Sequence, residues 1–237
     1  MSLAVLALVA CVRAPAPPLV ASPRAASAAY GPALPAPPAP ASAADAALVP
    51  VPGGVPLDPA TPALGPADAR VVVVTYSDFA CPYCGHFFPL VLALAERRPD
   101  LRFVFGSFPL DPDCNPLIRN DLHRYACDAA LAASCANLQG RYLPLATLLY
   151  QYPEHITPPE LPVFADRVGL DRDAYDTCVA DPAARAALTE HVTAAVALGV
   201  DATPTVFVRG LDGSDAWMQV TGDPRAILAV LEASPRR

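Results

Sequence analysis

The chain opens on a short apolar run, Leu3 to Val9, and then loses its hydrophobic rhythm. Between Val20 and Leu48 almost no large apolar residue interrupts a succession of alanine and proline. The rhythm returns with Val71-Val72-Val73-Val74-Thr75-Tyr76, a continuous run of β-formers that predicts a buried, central strand. Residues 82–97 then take helical spacing, with Phe87, Phe88, Val91, Leu94 and Ala95 near one face. Arg97 and Arg98 stand at the end of this helix, where the macrodipole favours cations, and Pro99-Asp100 stop it. Leu101 to Phe105 alternates and predicts a second strand. After Phe108-Pro109-Leu110 the pattern turns helical over Ile118–Asn137, Tyr142–Tyr152, Leu161–Val168, Ala174–Val179 and Ala183–Leu198. Prolines and Gly140, Gly169 and Gly199 punctuate these segments. In the last helix Leu188, Val192, Ala195 and Val196 fall at i, i+4, i+7 and i+8, an amphipathic face. Thr205–Val208 and Trp217–Val220 are strands of a hairpin turned by Leu211–Asp215, and Pro224–Leu231 is a closing helix. The order is β-α-β, a helical block, then α-β-β-α.

Composition divides the chain in two. Of 30 prolines, 15 fall in residues 1–66. A stretch of alanine and proline buries too little surface to offset its ordering entropy, so residues 12–66 read as a semi-extended, disordered linker. Residues 67–237 suit one domain, with a helical insertion over about 112–182. Net charge is −7, every basic residue is arginine, and no basic cluster exists, which argues against a nucleic-acid partner.

The candidate chemistry sits at the first strand-to-helix junction, Cys81-Pro82-Tyr83-Cys84. Two intervening residues let one helical turn hold both sulfurs within disulfide reach. Cys81 then stands at the helix N-terminus, where unpaired N–H groups and the macrodipole favour a thiolate, the reactive form. Pro82 fits the first helical position, where its missing N–H costs nothing. The competing readings are a structural disulfide and half of a zinc site, but zinc needs two further ligands. His86 lies too close to Cys84 to complete a tetrahedral set easily, and His123, His155 and His191 show no ligand spacing.

Three stretches carry a family resemblance: Tyr76-Ser77-Asp78-Phe79-Ala80-Cys81-Pro82-Tyr83-Cys84, Phe108-Pro109-Leu110, and Gly199-Val200-Asp201-Ala202-Thr203-Pro204-Thr205. Over Pro56 to Leu231 the chain resembles the DsbA-like thiol-disulfide oxidoreductases of the thioredoxin-like superfamily. The resemblance implies an α/β thioredoxin-like fold with a helical insertion between its βαβ and ββα halves. It implies Cys81 as exposed nucleophile, Cys84 as resolving thiol, and Tyr83, Thr203 and a cis-Pro204 as supporting residues. It implies protein thiols and disulfides as substrates, no cofactor beyond the redox-active disulfide, no metal, and a membrane partner of the vitamin K epoxide reductase or DsbB type. One departure stands out. Many relatives carry a buried acid six positions before the first cysteine, and here that position is Thr75. Asp78 matches the family but reads as a loop residue. The alternative function is copper or zinc delivery through Cys81, Cys84 and His86.

Leu8-Val9-Ala10-Cys11 resembles the lipobox of bacterial lipoprotein signal peptides, which makes residues 1–11 an anchor segment and Cys11 a lipidation candidate. The expected location is periplasmic or extracytoplasmic. With Cys11 and the active pair set aside, Cys114, Cys127, Cys135 and Cys178 remain as structural disulfide candidates, open to three full pairings.

Overall fold

The computed structural model describes residues 42–236. Its frame is a mixed six-stranded sheet in the order β1-β6-β5-β3-β4-β2. The strands are β1 (Ala47–Pro50), β2 (Ala63–Leu64), β3 (Val72–Ser77), β4 (Arg102–Ser107), β5 (Thr205–Arg209) and β6 (Trp217–Thr221). β3 is central, as its unbroken apolar run requires. It pairs parallel with β4 (Val74↔Val104) and antiparallel with β5 (Val74↔Phe207). The parallel β3–β4 pair needs a crossover, and α1 (Pro82–Arg97) supplies it.

Strand alternation sends the two faces of the sheet to different partners. Phe105 meets Phe88 of α1, with ring centroids 5.9 Å apart, while Val74, Tyr76, Val104 and Gly106 face α6 (Pro182–Ala197). α7 (Pro224–Ala233) packs beside α1. Arg98, fully buried, joins these two helix ends. Its guanidinium donates to the carbonyls of Leu231, Glu232, Ser234 and Pro235 and pairs with Asp100 at 2.8 Å. The last carbonyls of α7 thus gain a cationic cap.

Between β4 and α6 lie α2 (Ala126–Leu138), α3 (Tyr142–Gln151), α4 (Leu161–Arg167) and α5 (Arg172–Ala180). The architecture is therefore a thioredoxin-like α/β fold with a helical insertion. α2 forms the centre of that insertion and is buried on nearly every side, from Ala126 and Cys127 through Cys135 and Ala136. Its row of alanines lets α3, α4, α5 and α6 all pack against it. Two disulfides fasten the block, Cys114–Cys127 and Cys135–Cys178.

Two sequence expectations are corrected. Composition extends the disordered linker to residue 66, but residues 42–66 belong to the folded unit. β1 adds to β6 in the register Ala47↔Thr221, β2 adds to β4 in the register Leu64↔Phe103, and Val55 is buried in the core. Gly65 has φ +96°, and a Cβ there would overlap the Leu101 carbonyl, so even this proline-rich stretch is tightly seated. Backbone pairing to sheet edges, which requires no large side chains, orders a segment that composition alone reads as linker. The earlier part of the linker and the Cys11 anchor lie outside the described residues.

The second correction concerns Ile118–Asn137, expected as one helix. α2 begins only at Ala126. Asn115 takes the Leu117 N–H at 3.1 Å, Asp111 takes the Cys127 N–H at 3.2 Å, and the Cys114–Cys127 bond closes the loop. Side-chain acceptors have replaced helical carbonyls as partners of the backbone.

Candidate active site

Cys81 is the N-cap residue of α1, with extended backbone (φ −78°, ψ 120°), and Pro82 follows at N1. The Cys81 carbonyl accepts from Gly85 N at 3.0 Å, which starts the helix. No side-chain hydrogen bond caps this end, which leaves the first N–H groups of the helix to favour negative charge on the Cys81 sulfur. Cys81 and Cys84 carry free thiols. Cys81, expected to be exposed, is only 4 % exposed, and Cys84 is 1 % exposed. The cover over Cys81 comes partly from the far end of the fold. The Thr203–Pro204 peptide bond is cis, and Cys81 Sγ, when protonated, donates to the Thr203 carbonyl at 3.6 Å. Tyr83, between the cysteines, is 68 % exposed and stands at the rim.

The two sulfurs differ sharply in acidity. Cys81 is lowered to about 5, chiefly because the Cys84 thiol donates a hydrogen bond to it. Burial opposes this, and Thr203 and the N–H groups of Cys84 and Tyr83 reinforce it. Cys84 is raised well above the usual thiol range, first by burial and then by its bond to Cys81 and the charge there. The buried Thr203 hydroxyl has no ordinary hydrogen-bond partner, yet lies near enough to favour a thiolate on either sulfur. At neutral pH the arrangement holds one thiolate and one thiol.

Thr75, where the family resemblance leads one to expect an acid, is buried on β3. The acid of this site is instead Asp78, whose side chain is fully buried. Its Oδ1 accepts from Ala80 N at 2.6 Å, and its Oδ2 from Leu110 N at 2.7 Å and from the His123 ring at 2.8 Å. The Asp78 carbonyl also accepts from Cys81 N at 3.2 Å. Asp78 thus fixes the loop that presents the first cysteine. Reading the sequence missed His123 because 45 residues separate it from Asp78. The signal available was Phe108-Pro109-Leu110, whose last residue joins the two.

Below the cysteines lies an aromatic floor. Tyr150 sits 4.9 Å from Phe79 and 4.8 Å from Phe88, and Tyr142 5.6 Å from Phe105, as ring centroids. α3 of the insertion thereby packs against α1 and β4 and helps keep Cys84 dry. Burial raises the Tyr150 phenol well above its ordinary value, so it stays neutral beside Cys84.

His86 turns back on its own helix, with Nδ1 2.6 Å from the Pro82 carbonyl. Among the described residues no three His, Cys, Asp or Glu side chains converge as a metal site would require. His155 pairs with Glu160 at 2.7 Å on the surface. His191 lines a cavity of about 430 Å³ beneath Tyr76 and Gly106, and neither cysteine borders it.

The thioredoxin family model matches residues 57–216. The chain belongs to this family. Its fold is similar to that of a thioredoxin-like oxidoreductase from Silicibacter pomeroyi, at 26 % identity and a TM-score of 0.59, covering 74 % of this chain and 92 % of that one. It is also similar to alpha-DsbA1 of Wolbachia pipientis, at 22 % identity and a TM-score of 0.52, covering 65 % of this chain and 77 % of that one. Among curated proteins it is 36 % identical over 157 residues to the Na(+)/H(+) antiporter NhaA 3 of Salinispora tropica, covering 66 % of this chain and 23 % of the antiporter. The chain spans about a quarter of the length of the curated relatives it matches.

Proposed function

We propose that this protein is a thiol-disulfide oxidoreductase that accepts electrons from protein thiols outside the cytoplasm. The observation that carries the reading is the unequal pair at the start of α1, Cys81 held near 5 and Cys84 pushed up by burial. A substrate thiolate attacks Cys81 of the oxidised pair. The Cys81–Cys84 bond breaks, and Cys84 takes its electron pair and a proton. A second substrate thiolate attacks the substrate sulfur of the mixed disulfide and releases Cys81 as a thiolate. Two substrate thiols lose two electrons and two protons, and one substrate disulfide forms. A stabilised Cys81 thiolate favours the reduced state, which makes the disulfide the stronger oxidant.

The extracytoplasmic setting rests on the Cys114–Cys127 and Cys135–Cys178 bonds, which persist in oxidising compartments. Lipidation at Cys11 and reoxidation by a vitamin K epoxide reductase-like or DsbB-like membrane thiol oxidase complete this reading. Because the antiporter relatives are matched over about a quarter of their length, ion transport is not carried over to this chain.

Equilibration with glutathione buffers, followed by mass mapping of every cysteine, tests the reading. The expected result is a Cys81–Cys84 pair that stays reduced in buffers more oxidising than the cytosolic poise. Cys81→Ser should abolish exchange, and Cys84→Ser should accumulate mixed disulfides at Cys81. A pair inert to glutathione, without thiol-oxidase or insulin-reductase activity, would sink the assignment.

A further inference from the structure

The loop between β4 and α2 does more than connect them. It returns His123 to the foot of the CxxC helix through a closed ring of hydrogen bonds. Leu110 N donates to Asp78 Oδ2 at 2.7 Å, His123 N donates to the Leu110 carbonyl at 3.2 Å, and the His123 ring donates to Asp78 Oδ2 at 2.8 Å. The His123 side chain is 17 % exposed and Asp78 is fully covered, so their charges meet with little water between them. Several constraints hold the loop in place. The Cys114–Cys127 bond closes it, Asn115 Nδ2 donates to the Pro109 carbonyl at 2.7 Å, and Tyr125 turns the chain into α2 with a left-handed φ of 65°. A non-glycine residue in that region costs about 1–2 kcal/mol and persists only where its surroundings enforce it.

We propose that His123, anchored by Asp78, is a positioning residue whose positive charge keeps Cys81 in its reactive thiolate form. The proposal rests on the oxidoreductase reading of the Cys81–Cys84 pair. With His123 protonated, the Asp78–His123 pair is neutral as a whole beside Cys81. With His123 neutral, a buried negative charge remains three residues from the sulfur and opposes the thiolate. The sequence lacks an acid at Thr75, and this pair places a titrating group at the site by another route.

Other charged groups face the same region. Asp78 lies on the β3–α1 loop, Cys81 and Cys84 on α1 and the neutral Tyr150 on α3, while Asp111 of the β4–α2 loop is taken up by the Asp113 and Cys127 N–H groups. Arg124, the next residue, is engaged outward with Asp121 at 3.1 Å and over the Tyr125 ring. His123 is the titratable base bonded to the Asp78 carboxylate. In agreement with this geometry, its bond to Asp78 raises its pKa, with burial opposing and the charges of Asp78 and Cys81 adding to the rise.

The test is the ultraviolet thiolate titration of full-length protein with its two structural disulfides intact, with Cys84→Ala and Cys11→Ser as background so that only Cys81 reports. His123→Gln keeps a donor for Asp78 and removes the charge. It should move the Cys81 midpoint upward by about half a pH unit or more. Asp78→Asn removes the negative charge, and the midpoint should then fall or stay. A structural role alone would loosen the same loop in both variants and move both midpoints in one direction. An unchanged midpoint in His123→Gln, or an upward shift in both variants, overturns the proposal. Should Asp78→Asn not fold, the His123→Gln midpoint decides. The titration does not depend on glutathione exchange, so an inert protein with the expected shift would sink the proposed function and leave this inference standing.

Discussion

Two regions of this molecule use the same element in opposite ways. At the start of α1, Cys81 and Cys84 lie one helical turn apart as free thiols with divergent acidities. In the insertion, Cys114–Cys127 and Cys135–Cys178 are closed bonds that tie loops to helices. Of these six among the described residues all but Cys178 are buried, so burial alone does not separate reactive from inert sulfur. The separation comes from what surrounds each pair. Cys81 has helix N–H groups and a thiol donating to it, and a neighbour that is costly to ionise. The insertion cysteines are each closed onto a partner sulfur, which leaves no thiol there to ionise.

The largest expected consequence is in the pH dependence of stability. Cys81 is near 5 in the folded, reduced protein and near the ordinary thiol value of 9.0 when unfolded. Its folded value is depressed, so its contribution is fully present above about 9 and lost as pH falls through about 5. Between those limits the unfolded chain binds one more proton, and stability should rise by about 1.4 kcal/mol per pH unit. Cys84 keeps its proton in both states up to about pH 8, above which the unfolded thiol, with an ordinary value of 9.0, begins to ionise and opposes the rise. His123, whose folded value is raised, contributes in the opposite sense in both redox forms, so comparing the two forms largely removes it. Urea unfolding of reduced and oxidised protein from pH 5 to 9 should show the gap widening in favour of the reduced form. A parallel pair of curves would show that Cys81 is not acidified by the fold.

The stapled region should answer in stability, with smaller steps and no pH slope from its sulfurs. Cys135–Cys178 spans 43 residues and Cys114–Cys127 spans 13. Loop-closure entropy assigns about 4 kcal/mol to the first and about 3 kcal/mol to the second. Alanine replacement of each pair, followed by urea unfolding, should reproduce that order. Removing Cys114–Cys127 should additionally weaken the Asp78–His123 contact, which depends on the same loop.

The site was legible where its residues are neighbours in the chain and hidden where they are not. Cys81, Pro82, Tyr83 and Cys84 follow a strand and open a helix, so spacing and helix-end physics place them together. The predicted 82–97 helix coincides with α1, because Phe87, Phe88, Val91 and Leu94 bury a single face. Asp78 and His123 meet only through Leu110, and no periodicity connects residues 45 apart. Cys135 reaches Cys178 because α2 and α5 pack side by side, which a local pattern does not encode. The folded stretch before residue 67 was hidden for a related reason. β1 bonds to β6, with Thr221 Oγ1 donating to the Ala47 carbonyl at 3.4 Å across 174 residues. Its own side chains are exposed and rich in alanine and proline.

That stretch supplies the smallest and most local prediction. Val55 is 6 % exposed and lies beyond β1, in a segment whose composition suggests a linker. In a linker, Val55→Ala would change nothing measurable. In the folded unit it removes two buried methyl groups, at about 0.8 kcal/mol each by transfer, so a loss of about 1.6 kcal/mol is expected. Chemical denaturation of the oxidised protein would read it, with Leu57→Ala as an exposed control, since Leu57 is 40 % exposed. A silent Val55→Ala would return the segment to the linker and confine the domain to the residues after it. A loss of the expected size would instead show that the β1–β6 edge shares in the cooperative unit that holds Thr203 and Pro204 over Cys81, since β6 pairs with β5, the strand those two residues lead into.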